Sequence, residues 1–261
     1  MNIFNLGYKA LMQDDPELKI TQVKELQKLI ASDHAEFDPL ETVKEILIPG
    51  RPLLPELVHP AKVARRKLTT VQGRIALIHA VCHIEFNAIN LALDAIYRFQ
   101  YMPKQYYSDW VQVASEESKH YLLLRDRLRS LQAEYGDLPA HNGLWEMAIK
   151  TQHSIVERMA LVPRVLEARG LDVTPGMIDR LKAVNDLQTI EILELILQEE
   201  VGHVEIGTRW FRFSCEKENL HPESTFISLL DQYNVSTGNS TLHLQARKKA
   251  GFTSKEIDAL M

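Results

Sequence analysis

A chain of 261 residues, 45% of them hydrophobic, is long enough to bury a substantial core, as one large domain or as one domain with extensions. Its formal net charge of −5 at pH 7 gives no overall attraction to nucleic acid or to an anionic membrane. No apolar run approaches the length of a membrane span, and the first residues lack the basic-then-apolar order of a signal peptide. With only two cysteines, Cys82 and Cys215, these features predict a cytoplasmic protein.

Residues 1–69 are predicted to form a helical and extended arm that packs on the rest of the molecule. Residues 1–34 have a helical look, most clearly at 20–29. Residues 35–60 contain five prolines and little periodicity, which favours an extended segment. The basic run 62–67 could touch phosphate, but it is short and has no aromatic partners. A solvated helix entrance is therefore the favoured interpretation, and no nucleic-acid partner is expected.

Two long helices are predicted next, one over about 70–101 and one over about 104–135. The first helix carries a single acidic residue, Glu85, on its apolar stripe. The second stripe is apolar except for Glu117 and His120, which lie one turn apart. Burying a carboxylate beside a histidine is costly unless something pairs with them. A divalent metal is the obvious partner, because Glu-x-x-His presents an oxygen and a nitrogen donor on one face.

The second half of the chain carries another Glu-x-x-His, formed by Glu200 and His203, on the apolar stripe of a fourth helix. The segment before it predicts a third helix whose short apolar stripe ends at Glu167. A turn at Asn185-Asp186 separates the two helices. A bend in the third helix is expected because the segment contains residues that interrupt a regular helix, namely Pro163, Gly170 and Pro175.

The spacing of these acidic residues repeats between the two halves. Glu85 precedes Glu117 by 32 residues, and Glu167 precedes Glu200 by 33. In each half, a glutamate is followed about thirty residues later by a Glu-x-x-His motif. This repeated pattern supplies the ligands of di-iron and di-manganese carboxylate bundles. The chain is therefore predicted to be all-α, with a four-helix bundle over 70–215 that holds a dinuclear site. Four carboxylates supply −4 against the +4 of two divalent ions, and the oxygen-rich set suits iron or manganese rather than structural zinc.

The predicted ligand set contains four glutamates and two histidines: Glu85, Glu117, His120, Glu167, Glu200 and His203. Glu117 and Glu200 are expected to bridge the two ions. On the first helix, His79 and His83 could grip a metal directly, but a hydrogen-bonding role around the ligands is favoured for one of them. On the third helix, Glu157 competes with Glu167, and Glu167 is favoured because the stripe around Glu157 looks partly solvated.

Several short motifs carry a resemblance to a known family over about residues 50–260. They are His83-Ile84-Glu85, Glu117-x-x-His120, Gly136-Asp137-Leu138-Pro139-Ala140-His141, Leu166-Glu167-Ala168-Arg169-Gly170, Glu200-x-x-His203 and Gly207-Thr208-Arg209-Trp210-Phe211. On these motifs the chain resembles an uncharacterised bacterial family of ferritin-like di-iron proteins. Its Glu-Ala-Arg stretch is also similar, more distantly, to that of the ferritin-like tRNA hydroxylases. The resemblance implies a ferritin-like bundle and a dinuclear metal site, but it implies no substrate.

The sequence therefore favours an oxygen-activating di-iron oxidase or monooxygenase that acts on an unknown small molecule with O₂. Two iron ions are the expected cofactors, with manganese or a mixed pair as the alternative. A non-catalytic metal-binding or iron-handling protein is the competing function. The oligomeric state is left open, with a homodimer among the alternatives.

The C-terminal region, residues 216–261, is predicted to contain a loop and a short last helix. Residues 231–242 are rich in Asn, Ser, Thr and Gly, which is typical of a loop. The last helix is expected from Ser254, because Thr253 and Glu256 have the spacing of a capping box.

Overall fold

The computed structural model describes residues 1–32, 34–63, 66–235 and 241–261, and within these ranges the regular structure is helical. The predicted all-α fold with short extra helices at both ends is confirmed. The chain divides into two compact units, Met1–Ile149 and Lys150–Met261. The predicted division into an arm, a bundle and a C-terminal region stays a prediction. Parts of the basic run 62–67 and of the loop 231–242 lie outside the described residues.

The first unit begins with a pair of short helices, α1 (Ile3–Leu11) and α2 (Pro16–Ile30). Each starts at a side-chain cap, because Asn2 accepts from the first amides of α1 and Asp15 accepts from those of α2. Helix α2 also has proline at its first position, where the missing N–H costs nothing. The helical pattern expected near the N-terminus is therefore two capped helices.

The central hairpin of the first unit consists of α3 (Val71–Arg98) and α4 (Lys104–Ser130). Helix α1 packs on α3 and α2 packs on α4, so the N-terminal pair covers the hairpin. Helix α4 ends several residues before the predicted end, because Gln132 adopts a positive φ of 60° and takes the chain out of the helical region.

Helix α3 corrects one expectation, because by length and composition alone it could cross a membrane. In the structure, however, 72% of its most apolar 18-residue window is buried inside the molecule. A buried core helix satisfies the same two criteria, and one such helix argues only weakly for a membrane span. The absence of a membrane partner and the cytoplasmic location stay predictions.

The proline-rich segment runs without regular helix until a single 3₁₀ turn at Pro60–Lys62. Its backbone is tied to the hairpin, since the amide of Lys44 donates to the Tyr97 hydroxyl at 2.7 Å. It is also tied to the loop after α4, because Val58 donates to the carbonyl of Ala140 at 2.8 Å. The proline-rich segment is therefore irregular before this turn, and its backbone is hydrogen-bonded to neighbouring elements of the first unit. A further helix, α5 (Gly143–Lys150), ends where the second unit begins.

The second unit is built on one long, irregular helix that faces a second long helix. The irregular helix comprises α6 (Ile155–Leu161), a π-helical segment (Val162–Glu167) and α7 (Ala168–Lys182). Its partner is α8 (Leu187–Lys217), which packs on all three parts. The predicted turn between them is confirmed, because Asn185 adopts a positive φ of 55° and Asp186 caps α8.

The third helix is interrupted over fewer residues than expected from Pro163, Gly170 and Pro175. Pro163 lies inside the π-helical segment, where its missing N–H leaves a carbonyl of the preceding turn without its α-helical partner. The helix then continues through Gly170 and Pro175. The irregularity therefore ends at Glu167, the last residue of the π-helical segment.

After α8, the described residues of the second unit form three short helices: α9 (Pro222–Gln232), α10 (Leu244–Lys249) and α11 (Ser254–Asp258). The predicted capping box is present, because the Thr253 side chain accepts from the amide of Glu256, and the Glu256 side chain accepts from the amide of Thr253.

Substitution of Gly207 on α8 tests the close approach of α8 to the π-helical segment. A Cβ atom at Gly207 would lie 2.4 Å from Cβ of Pro163, so either chain must shift. We expect Gly207→Ala to lower the free energy of unfolding by about 1–3 kcal/mol, as overpacking does. The measurement is urea denaturation of the purified protein.

The matched control is Gly202→Ala on the same helix, where a Cβ meets nothing within 4 Å. This variant is expected to gain about 0.5–1 kcal/mol from the higher helix propensity of alanine. Equal effects of the two substitutions would contradict the close approach.

Candidate metal centre

Three of the predicted ligands come together in the first unit. Glu85 projects from α3, and Glu117 and His120 project from α4. One ligand atom of each lies within 4.8 Å of those of the other two. His120 Nδ1 is 3.1 Å from Glu85 Oε2 and 3.3 Å from Glu117 Oε2. The helical hairpin thus presents two carboxylates and one imidazole to a common point.

This cluster is buried, which determines its charge state. Glu117 and His120 have no exposed surface, and Glu85 is 4% exposed. Burial, and then the negative charge of Glu117, raises the pKa of Glu85 to about 8. Burial lowers the pKa of His120, but hydrogen bonds to the two carboxylates outweigh this and raise that pKa to about 11. Both pKa values are raised, so the cluster favours bound positive charge, which a metal cation would supply.

The two histidines of α3 form hydrogen bonds to groups outside this cluster. His79 Nε2 accepts from the amide of Gly136 at 2.9 Å. His83 Nδ1 lies 2.8 Å from the Tyr135 hydroxyl, and His83 Nε2 lies 2.9 Å from Asn87 Nδ2. Burial lowers the pKa of both histidines to about 4, so both rings are neutral at pH 7. Among the described residues neither ring bonds to a predicted ligand, so a role around the ligands stays a prediction.

In the second unit, Glu200 and His203 lie one turn apart on α8, and both are buried. His203 Nδ1 is 3.3 Å from Glu200 Oε1. The other carboxylate oxygen, Oε2 of Glu200, is buried and makes no hydrogen bond within the described part of the chain. A buried carboxylate oxygen without a donor is costly, and a bound cation would offset that cost.

Glu167 and Glu157 differ in what surrounds them. Glu167 is buried at the end of the π-helical segment, which packs against α8. Glu157 on α6 is engaged elsewhere, because it accepts from the Tyr233 hydroxyl and lies 3.2 Å from His153 Nε2. This pairing gives Glu157 a structural role that needs no metal.

Sequence reasoning missed a buried arginine in the π-helical segment. Arg164 is fully buried and lies 2.7 Å from Glu256 Oε1. No local pattern reveals this ion pair, because the acidic partner lies far along the chain on α11. Only the capping-box spacing at Thr253 and Glu256 drew attention to that carboxylate.

A sequence profile of the family described as "Protein of unknown function (DUF455)" matches residues 12–258. The chain belongs to this family. An uncharacterized protein of Haemophilus influenzae is 40% identical to the chain over 264 residues, which is 95% of this chain and 90% of the relative. No solved structure matches the chain. As a DUF455 member with a buried cluster of glutamate and histidine, the chain could hold a metal ion.

The donor chemistry of the DUF455 chain fits such an ion. Carboxylate oxygens with an imidazole nitrogen suit iron or manganese, and a closed tetrahedral zinc site would use more nitrogen or sulfur. Both cysteines are buried, and neither belongs to the cluster of Glu85, Glu117 and His120. The residues of the first unit therefore supply two carboxylates and one imidazole as possible ligands.

Proposed function

We propose that the protein is a ferritin-like dinuclear metal carboxylate protein, most simply di-iron, that activates oxygen toward a small-molecule substrate. The observation that carries the proposal is the buried cluster of Glu85, Glu117 and His120 in the first unit. Its proposed counterpart in the second unit is the set of Glu167, Glu200 and His203.

The charges of the buried cluster favour a bound cation. Two carboxylates in an apolar interior repel each other, and His120 can neutralise only one of them. Their positions are fixed by two long packed helices, so they cannot turn away to solvent. A cation bound at this point would stabilise all three side chains together.

The repeat in the sequence also supports the proposal. The spacing from Glu85 to Glu117 and that from Glu167 to Glu200 differ by one residue. Each Glu-x-x-His lies on a long helix. That helix follows a helical segment that carries the other glutamate of the repeat, Glu85 in the first half and Glu167 in the second. Such a duplicated half-site is the arrangement that supplies ligands to two ions in carboxylate bundles.

When bound, two iron ions would supply reduction of O₂ and oxidation of the substrate. The protein contributes position and exclusion of water. Glu117 and His120 have no exposed surface, so bulk water does not reach these groups. Tyr121 and Leu124 extend the dry interior along the same helix, since both are buried. In such surroundings reactive oxygen species would be kept from solvent.

Metal content distinguishes the two candidate glutamates of the third helix. We expect the wild-type protein to bind about two iron ions per chain after anaerobic loading. Glu167→Ala should lose most of this metal, because it removes a ligand. Glu157→Ala should stay near the wild-type content, since Glu157 is engaged by Tyr233 and His153. Elemental analysis of the desalted proteins makes the comparison, and the reverse pattern would exclude Glu167 as a ligand.

Oxygen consumption tests the proposed activity. The Fe(II)-loaded protein is expected to consume O₂ in proportion to its sites and then to stop when no substrate or reductant is present. An oxygen electrode with stepwise additions of Fe(II) measures this ratio. Continued uptake with deposition of hundreds of ferric ions would favour iron handling, and no reaction with O₂ would contradict the oxygen-activating role.

A further inference from the structure

The buried Arg164 joins the π-helical segment to most of the C-terminal half of the second unit. Its guanidinium carbon lies over three phenylalanine rings, at 4.7 Å from the centroid of Phe211, 4.1 Å from Phe226 and 4.5 Å from Phe252. Its Nε donates to the Thr208 hydroxyl at 3.2 Å. These partners lie on α8, on α9 and just before α11, so one side chain contacts three separate elements.

Glu256, the acidic partner of Arg164, makes two contacts with its two carboxylate oxygens. Oε1 of Glu256 lies 2.7 Å from the guanidinium, and Oε2 accepts from the backbone amide of Thr253 at 2.9 Å. Thr253 in turn donates from its hydroxyl to Glu223 on α9 at 2.8 Å. The start of α11 is therefore held by the same carboxylate that neutralises Arg164.

The chemistry of this contact favours a role in fixing position. An ion pair in an apolar interior adds little stability compared with apolar residues of the same size, because both charges lose their water. Its geometry is nevertheless restrictive, since the guanidinium is planar and is enclosed by aromatic faces. Burial lowers the pKa of Arg164 to about 10, which leaves it charged at neutral pH.

The location of Arg164 connects this contact to the candidate metal centre. Arg164 follows Pro163 in the π-helical segment, and Pro163 packs closely against α8 at Gly207. Three residues after Arg164, the segment ends at Glu167. A π-helical segment is a rare interruption of an α-helix and occurs frequently at functional sites. Arg164 is the basic residue of this segment, and its ion pair fixes the segment to α11.

We propose that the Arg164–Glu256 ion pair is a positioning device that holds the π-helical segment in register, so that Glu167 is presented for metal binding only when α11 is docked. The proposal rests on the proposed function, because it takes Glu167 to be a ligand. It makes Arg164 and Glu256 positioning residues, since they would act on the metal through the backbone of residues 164–167.

Glu256→Gln tests this directly, because glutamine can still close the capping box while the charge opposite Arg164 is lost. We expect the affinity for Fe(II), measured anaerobically by competition with a chelator, to fall by roughly tenfold or more. In the metal-free protein, amide hydrogen exchange within 162–167 should become faster than in wild type.

The matched control is Asp172→Asn, which removes the carboxylate charge from another buried ion pair of the same unit. Asp172 on α7 pairs with Arg247 on α10 at 2.6 Å, and both side chains are 2% exposed. This variant should lose thermal stability but keep near wild-type Fe(II) affinity. If Glu256→Gln and Asp172→Asn weaken Fe(II) binding equally, general destabilisation explains the loss, and the positioning role is overturned.

The double variant Arg164→Met/Glu256→Gln guards against a failure to fold, because methionine fills the aromatic site without a charge. It should be folded by circular dichroism and still bind Fe(II) at least about tenfold more weakly than wild type. Wild-type affinity in this variant overturns the positioning role alone. Wild-type protein that binds no iron contradicts the proposed function instead.

Discussion

Two carboxylates that cannot reach water impose the main constraint on this molecule. Glu85 and Glu117 are held by the two longest helices of the first unit, with a single imidazole between them. Burial and the neighbouring negative charge of Glu117 raise the pKa of Glu85, which favours binding of a positive charge at this point. Packing of α1 and α2 on this hairpin adds to the burial that makes the arrangement costly. A hairpin selected only for stability would gain by replacing such groups with apolar ones.

Other buried charged side chains in the molecule have partners of a different kind. The ammonium of Lys19 donates to the carbonyls of Ala10 and Leu11 and to Asn90, so it closes the C-terminal end of α1. Burial lowers its pKa to about 7, and the carbonyl acceptors make that cost tolerable. Arg164 and Arg247 each face a buried carboxylate. These buried Lys and Arg side chains therefore each have a hydrogen-bond acceptor or a carboxylate as partner. In the candidate centre, by contrast, two glutamates share one histidine.

Periodicity allowed much of the fold to be predicted. The stripes of α3, α4 and α8 follow directly from apolar spacing, and the capping box of α11 follows from Thr253 and Glu256. The three clustered residues of the first unit were also predictable, because each is the polar exception on an apolar stripe. The resemblance to a ferritin-like family pointed to the same residues. The chain belongs to the DUF455 family, and its ferritin-like character stays a prediction.

What could not be predicted depends on contacts distant in sequence. Helix breakers at Pro163, Gly170 and Pro175 look alike locally, but only the packing of Pro163 against Gly207 accompanies a π-helical segment. The Arg164–Glu256 pair joins residues that no local pattern connects. No apolar run in the sequence was expected to span a membrane, yet α3 meets the criteria of length and composition, and its burial in the first unit weakens a membrane interpretation.

X-ray absorption at the iron edge of the anaerobically loaded protein tests the dinuclear centre most directly. We expect ligand scattering dominated by oxygen with about one nitrogen per iron, and a second iron at about 3.5–4 Å. A spectrum without iron–iron scattering, from protein that binds a single ion, would contradict the dinuclear centre.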